Sequence, residues 1–368
     1  MLPLLCLLLL SPAEAGRRKR VEPVPEPTAP PAPVLDASPW FQGLIVPLGE
    51  LPVGLANPTA VGCAACHQAP FAAWQNGPHG GPPPPGIRAL SDEPACTGCH
   101  LPLLEQRPMA GGFGFGPEQA AAVPQPFSAT LWAEGVGCAA CHLRGGTVLA
   151  ARSADASPHP VRGSSTLGEE QGCATCHQLE VDGVTWYDTY QSWSASPYKD
   201  AGIGCADCHA PHGQATGPGI SLLVDVPARS LTRGGAPLTV SVVLQNTGAG
   251  HSWPSTGPHS GAELVVRLVG PVDPKRGLAE AARFTSPLAR RLGAEGQLAD
   301  DTRIPPMGSA SFPVEVALDQ DAAEGPWHLE VAVRRTSAAN PLPNDELAEV
   351  DAPYVDATTR LWLPLSVD

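Results

Sequence analysis

The sequence predicts an α+β protein of two parts, and three observations support this prediction. The chain of 368 residues contains 44 prolines and 39 glycines, but only 5% aromatic and 16% charged residues. Proline and glycine are frequent in the first two thirds, where a core of side chains alone would be poor, so something else must fill it. The last third alternates apolar and polar residues at strand length. We therefore expect short helices and irregular chain first, and a β-rich domain after them.

The N-terminus predicts export. Residues 2–10 are almost wholly apolar, and Ala13-Glu14-Ala15 fits the small-x-small cleavage site of a secretory signal. We therefore predict a signal peptide over 1–15, a proline-rich linker over 16–50, and a location in the periplasm or at the cell surface. No later apolar run is long enough to span a bilayer, and the net charge of −14 excludes the basic face of a nucleic-acid binder.

One motif, Cys-x-x-Cys-His, occurs five times, with 32 to 42 residues between successive first cysteines. This spacing is the attachment site of c-type haem, in which two thiols become thioethers and the adjacent imidazole binds iron. Zinc sites usually need two such knuckles, and a redox dithiol does not need the histidine. Cleavage of the signal peptide removes Cys6, and every other cysteine belongs to a motif. The sequence therefore predicts five covalent haems, with iron, on Cys63, Cys66 and His67; Cys96, Cys99 and His100; Cys138, Cys141 and His142; Cys173, Cys176 and His177; and Cys205, Cys208 and His209.

Six histidines lie outside the motifs, and most follow a proline. Because proline fixes the local backbone, the imidazole after it can be held at a defined angle. We expect ligands for the second face of the irons among His79, His159, His212, His251 and His259. His328 lies in an alternating run and is interpreted as a strand residue. Met109 and Met307 are weaker alternatives.

The fourth interval departs from this pattern. The segment from Trp193 to Tyr198 has the spacing of the segment from Trp74 to His79, but ends in tyrosine. Either one iron takes its ligand from elsewhere, or it is five-coordinate or weakly held by Tyr198. No catalytic residue is assigned, and Tyr198 is the one candidate beside an open iron.

These motifs, interleaved with Trp-x-x-Ser-x-His-like segments, resemble the multihaem cytochrome c family. That family includes the tetrahaem cytochrome of ammonia oxidisers and is related to pentahaem nitrite reductase. The resemblance covers roughly residues 51–260 and extends to Ala249-Gly250-His251, a segment whose histidine reaches a haem in the family. It implies that His251 is a ligand, although an inserted residue leaves the choice between His251 and His259 open.

The resemblance and the composition together predict a haem-packed, mostly α or irregular domain over 51–220. From 221 to 368 six runs read as strands, at 221–226, 237–245, 262–269, 311–318, 327–335 and 360–367. Turn residues separate these runs, which predicts an antiparallel β-sandwich of immunoglobulin-like type.

Two functions stay open at this point. The favoured one is a carrier that passes electrons along five haems in an anaerobic or respiratory chain, with other cytochromes or a quinol-linked membrane complex as partners. The alternative is a haem reductase of small nitrogen or sulfur oxyanions with one open iron. The related nitrite reductases have lysine in place of one motif histidine, and all five motifs here end in histidine. A subunit that only docks on a larger complex is a third reading. The sequence predicts no oligomeric state.

Overall fold

The structure is a computed structural model, and it describes only part of the chain. The described residues are 47–82, 94–106, 128–155, 158–164, 167, 169–181, 183–209, 212, 219–228, 230–255, 260–273, 277–293, 297–337 and 360–367. The predicted signal peptide and most of the predicted linker lie outside these residues. So do His259, Met109 and the side chain of Cys96.

The first part of the described chain contains short α-helices. They are α1 (Ala60–Ala64), α2 (Gln68–Gln75), α3 (Pro94–His100), α4 (Ala129–Glu134), α5 (Cys138–His142), α6 (Glu170–His177), α7 (Thr189–Ser194), α8 (Pro197–Asp200) and α9 (Cys205–Cys208), with a 3₁₀ turn at Leu104–Gln106. Side chains cap several of them: Thr59 accepts a hydrogen bond from the Gly62 amide, and Ser128 accepts one from the Leu131 amide. Helices this short are unstable alone, so they depend on tertiary contacts.

Two small sheets lie between these helices. Strands β1 (Leu143–Arg144), β2 (Thr147–Ala150) and β3 (Val161–Gly163) form the first sheet, and β4 (Gln178–Val181) and β5 (Val184–Asp188) form the second. The turn between β1 and β2 is Gly145-Gly146, and both residues have positive φ. A two-residue hairpin turn of this kind needs positive φ at both positions, which glycine adopts without strain.

Two larger sheets share the main apolar core. Strands β6 (Ser221–Asp225), β8 (Leu238–Gln245) and β13 (Ser309–Val316) form one, in the order β13-β8-β6. The other has the order β10-β9-β14-β15-β7, with β7 (Ser230–Leu231), β9 (Ser260–Asp273), β10 (Gly277–Leu288), β14 (Trp327–Ser337) and β15 (Arg360–Val367). A separate pair is formed by β11 (Arg290–Leu292) and β12 (Leu298–Asp301).

The period of two in these strands explains the core. Alternate residues of β8 (Val240, Val242 and Leu244) are fully buried. Alternate residues of β14 and β9 also join the same cluster. Because successive side chains of a strand point to opposite faces, each strand gives one face to the core. Each such aliphatic side chain contributes about 1.5–3 kcal/mol when fully buried.

The predicted fold class is wrong for the first part of the chain. Strand accounts for 38% of the structure and helix for 24%, in small sheets with few helices. A five-residue motif fills little more than one helical turn, and the chain between motifs pairs into β1–β5 instead of extending the helices. A haem-packed helical domain is therefore not what the chain forms. The structure is a mostly β protein with short helices.

Candidate functional site

Helices α3, α5 and α6 each contain one whole motif. Helix α5 begins at the first cysteine of its motif and ends at the histidine, and α6 also ends at its motif histidine. On a helix, residues three and four positions apart lie on the same face. Two alanines lie between the cysteines of the third motif in the sequence. On the helix, however, Cys138, Cys141 and His142 share a face.

Four of the five motif histidines face a histidine from outside the motifs. The ring centres are 6.2 Å apart for His67 and His159, 6.2 Å for His79 and His177, 5.9 Å for His142 and His212, and 6.1 Å for His209 and His251. Each pair consists of one motif histidine and one histidine from outside the motifs. The partners come from distant parts of the chain, so neighbourhood in sequence does not explain the pairing.

These distances suit two imidazoles on opposite sides of one metal ion. A metal–imidazole bond is about 2.0–2.1 Å long, and the ring centre lies about 1.1 Å behind the nitrogen, so two such bonds in line separate the centres by about 6.2–6.4 Å. The four observed separations lie close to that value.

Hydrogen bonds orient two of the rings. His142 donates from Nδ1 to the carbonyl of Leu149 at 2.6 Å, and His251 donates from Nδ1 to the carbonyl of Ser252 at 3.1 Å. A ring whose Nδ1 carries the proton keeps the lone pair on Nε2, which is the usual arrangement of a metal-binding histidine. In His159 the Nδ1 atom is buried without a hydrogen-bond partner.

Burial keeps most of these imidazoles neutral. Burial, together with repulsion from neighbouring histidines, lowers the pKa of His177 to about 4. Burial also lowers the pKa of His79, His209 and His251. A neutral imidazole is the form that binds a metal, so these groups are ready to act as ligands at neutral pH.

Thiols of different motifs also lie side by side. Cys63 hydrogen-bonds Cys138, Cys99 hydrogen-bonds Cys176, and Cys173 hydrogen-bonds Cys205. The first motif therefore adjoins the third, the second adjoins the fourth, and the fourth adjoins the fifth. Any groups attached to these sulfurs would be neighbours in the same order.

Two tryptophans support the motifs in the same way. Trp74 donates its indole N–H to the carbonyl of Val136 at 3.0 Å, and Trp193 donates to the carbonyl of Ile203 at 2.9 Å. Each carbonyl lies two residues before the first cysteine of a motif. The repeat seen in the sequence between the Trp74 and Trp193 segments is therefore also a repeat of contacts.

The repeat differs at the residue that follows. His79 faces His177, whereas the hydroxyl of Tyr198 donates to the carbonyl of Thr247 at 2.9 Å. Met307 lies beside Tyr198, with its sulfur 3.7 Å from the hydroxyl. His100 is the remaining motif histidine, and among the residues that the structure describes no ring pairs with it. The candidate ligand His259 lies outside the described residues.

The chain matches no family model and no curated protein. Solved structures that resemble part of it include the CARDB domain of the PF1109 protein of Pyrococcus furiosus, with 12% identity, a TM-score of 0.22, and 40% of this chain and 87% of that chain covered. Others are the sporulation control protein Spo0M of Bacillus subtilis (10%, 0.23, 41% and 50%) and a cell surface protein domain of Methanosarcina acetivorans (11%, 0.20, 40% and 91%). TM-scores this low support no inference about function.

These comparisons correct the family predicted from the sequence. The neighbours include CARDB and cell surface domains, and none of those named above is a cytochrome. Membership of the multihaem cytochrome family is therefore wrong as a prediction. The terms haem, iron, metal-binding and electron transfer gain no support from these neighbours. In the described ranges, no three His, Cys, Asp or Glu side chains converge as a metal site of protein ligands alone would require.

The sequence missed several residues around His251. The buried side chain of Asn246 donates to the His251 carbonyl at 2.8 Å, and Asp188 and Arg303 form an ion pair close by. No motif distinguishes these residues. In the described part of the chain, no helix is both long and apolar enough to cross a bilayer.

Proposed function

We propose that the chain is an exported electron carrier that attaches haem covalently at its five Cys-x-x-Cys-His motifs. One observation supports this most directly: four motif histidines each face a histidine from elsewhere in the chain, at 5.9–6.2 Å between ring centres. A tetrahedral zinc site with two imidazoles would bring the ring centres to about 5 Å, and a redox dithiol needs no imidazole pair.

The residues present fit c-type haem. The paired cysteines of each motif would hold it through thioethers, and the paired histidines would bind the metal from both sides. When bound, the haem supplies one-electron redox chemistry. The macrocycle would supply the remaining metal ligands, so the described residues need not offer a cluster of three or more protein ligands.

The protein's part is to position and to insulate. The carbonyls of Leu149 and Ser252 orient His142 and His251, and burial lowers the pKa of His251, which keeps its imidazole neutral. The thiol contacts place the fourth motif next to both the second and the fifth, and the first motif next to the third. This adjacency supports electron transfer between neighbouring haems, because each of the five motifs adjoins at least one other.

The partners we propose are other redox proteins in the periplasm or at the cell surface, such as cytochromes or a quinol-linked membrane complex. The signal-like N-terminus supports export. The net charge of −14 favours partners that present a basic surface.

A second candidate function follows from His100. No ring pairs with it in the described part of the chain, so the second motif could leave one iron open to a small ligand. This supports the alternative of a reductase of small nitrogen or sulfur oxyanions. The absence of any assigned proton donor beside His100 makes the carrier the stronger proposal.

The test combines haem counting with spin state. Pyridine haemochrome and intact mass should give five haems per chain, and replacing Cys173 and Cys176 with alanine should remove one. Electron paramagnetic resonance of the ferric protein should then give mainly low-spin signals. A chain without covalent haem overturns the proposal. A high-spin signal that shifts when nitrite is added, and that is lost when Cys96 and Cys99 are replaced with alanine so that the second motif carries no haem, would favour the reductase.

A further inference from the structure

An ion-pair cluster joins the segment before α7 to the strand-rich part of the chain from β6 to β15, which is called the sandwich below. Arg303 donates from both terminal nitrogens to the two oxygens of Asp188, each at 2.7 Å. Arg290 adds a second contact to Asp188 at 2.7 Å, and Asp301 accepts from Arg303 at 2.8 and 2.7 Å. Asp188 is the last residue of β5, whereas Arg290, Asp301 and Arg303 belong to the later, strand-rich part of the chain.

This cluster is shielded from solvent. The side chain of Arg303 is 3% exposed, and those of Arg290 and Asp188 are 12% and 16% exposed. Burial alone would raise the pKa of the Asp188 carboxyl, but hydrogen bonds from Arg303 and the charges of Arg303 and Arg290 outweigh it and lower the pKa. A bidentate pair of this kind fixes geometry as well as adding energy.

Two connections lead from the cluster to His251. On the sandwich side, Ile304 follows Arg303 and exchanges two backbone hydrogen bonds with Trp253, each at 2.8 Å. On the other side, Thr189 follows Asp188, and its hydroxyl lies 2.6 Å from that of Ser255. His251 stands just before the two residues held in this way, Trp253 and Ser255.

Helix α7, which follows Asp188, also forms a hydrogen bond with the loop that carries His251. In α7 the hydroxyl of Ser192 accepts a hydrogen bond from the Ser252 amide at 2.8 Å. The residue next to His251 is therefore bonded to the helix that begins directly after Asp188. A shift of Asp188 relative to Arg303 would move α7 against the loop and change where the imidazole of His251 points.

We infer that Asp188 and Arg303 are positioning residues that hold His251 opposite His209. The inference rests on the proposed function, because its consequence is the ligation of the metal between these two imidazoles. Asp188 and Arg303 touch neither imidazole in the described contacts, so they act through the loop. The sandwich then serves the fifth motif as the support of its second ligand.

The test uses the full-length, haem-loaded protein and compares five chains: wild type, Asp188→Asn, His251→Ala, the double variant with both changes, and the control Glu280→Gln. Glu280 forms ion pairs with Arg283 and Arg267 within the sandwich. The readout is the high-spin ferric signal and its loss on adding imidazole. We expect Asp188→Asn to gain a high-spin signal of the size that His251→Ala gains, and the double variant to gain no more. Glu280→Gln should match the wild type.

The outcomes separate the inference from the function beneath it. If His251→Ala gains the signal and Asp188→Asn does not, the positioning role is wrong while the proposed function stands. If the wild type carries no covalent haem, or His251→Ala changes nothing, the assigned iron is wrong and the inference falls with it. Should Asp188→Asn fail to fold, Arg303→Lys decides, since it keeps the charge but cannot form both bonds; it should gain a smaller signal of the same kind.

Discussion

Replacing Asn246 with leucine would remove three hydrogen bonds from the base of the His251 loop. The side chain is completely buried. Its amide nitrogen donates to the carbonyls of His251 at 2.8 Å and Ile304 at 3.0 Å, and its oxygen accepts from the Ala249 amide at 3.1 Å. Leucine has the same branching and the same number of side-chain heavy atoms, but its larger methyl groups cannot hydrogen-bond any of these backbone groups.

The expected cost is large. The Ile304 carbonyl still accepts from the Trp253 amide, so the change leaves two buried backbone groups, the His251 carbonyl and the Ala249 amide, without their described partner. Each such group costs about 1–3 kcal/mol, so the two together cost roughly 2–6 kcal/mol. Domains are stable by about 5–15 kcal/mol, so the variant would lose a large share of the stability of this part of the chain. The loosened His251 carbonyl should also bring the loss of one low-spin signal.

The assay is urea unfolding followed by far-UV circular dichroism at neutral pH. The midpoint should fall by about 1 M or more, because slopes are about 1–3 kcal/mol per molar urea for small proteins. Asn76→Leu is the matched control: Asn76 is exposed at the end of α2 and donates to the Ala72 carbonyl at 2.8 Å. That change should cost less than about 1 kcal/mol. A comparably small loss for Asn246→Leu would refute the reasoning.

Three further predictions concern the first part of the chain. His79→Gly should expose the iron beside His177, giving a high-spin signal that added imidazole removes; an unchanged spectrum would contradict the pairing. Trp74→Phe keeps a ring but leaves the Val136 carbonyl unpaired, so the free energy of unfolding should fall by at least about 1 kcal/mol. Burial raises the pKa of Glu134, only partly offset by a backbone hydrogen bond. The unfolded chain therefore loses this proton first, and the stability of the folded state falls as pH rises from about 4.3 to the raised pKa. Glu134→Gln should remove that fall, so its gain in melting temperature over the wild type should grow between pH 4 and 7; a constant difference would contradict it.

The ion-pair cluster predicts the opposite dependence on pH. The pKa of Asp188 is lowered in the folded state, so its contribution is complete above the unfolded value of about 3.9 and is lost as pH falls through the folded pKa. The melting temperature of the wild type should therefore fall below about pH 4 by more than that of Asp188→Asn. Parallel curves for the two chains would show that Asp188 is not paired in solution.

Local signals in the sequence predicted individual strands and motifs. The prediction was most accurate for the strands in the last third of the chain. All six predicted runs fall on strands, because alternation with a period of two is visible within eight residues. Strand β10 was missed, since its alanine, glutamate and arginine residues favour a helix and only pairing with β9 makes it a strand. Strands β4 and β5 were missed although Gly183 lies in a typical hairpin turn between them.

The residues of the candidate site also fall into two groups: those that local signals in the sequence identify, and those that only the structure reveals. The small-Pro-His repeat singled out His79, His159 and His212, which the structure places opposite motif histidines. Which of them serves which motif could not be predicted: His79 lies close to the first motif in sequence but faces His177. Such pairings depend on tertiary structure, which a single sequence does not reveal. Asn246 and Arg303 belong to no motif, and only their burial and contacts reveal them.

The interlocked histidine pairs have a consequence for how the protein is made. If the chain is exported and takes up haem as proposed, the cysteines of each motif, which lie within a few residues of one another, can be modified as soon as that segment reaches the export compartment. Its second imidazole arrives later in three of the four pairs: His67 must wait for His159, His142 for His212, and His209 for His251. Contacts between residues so far apart form slowly. Secretion of the chain would therefore produce partly coordinated intermediates, and coordination would be complete only once the sandwich strands that support His251 have paired.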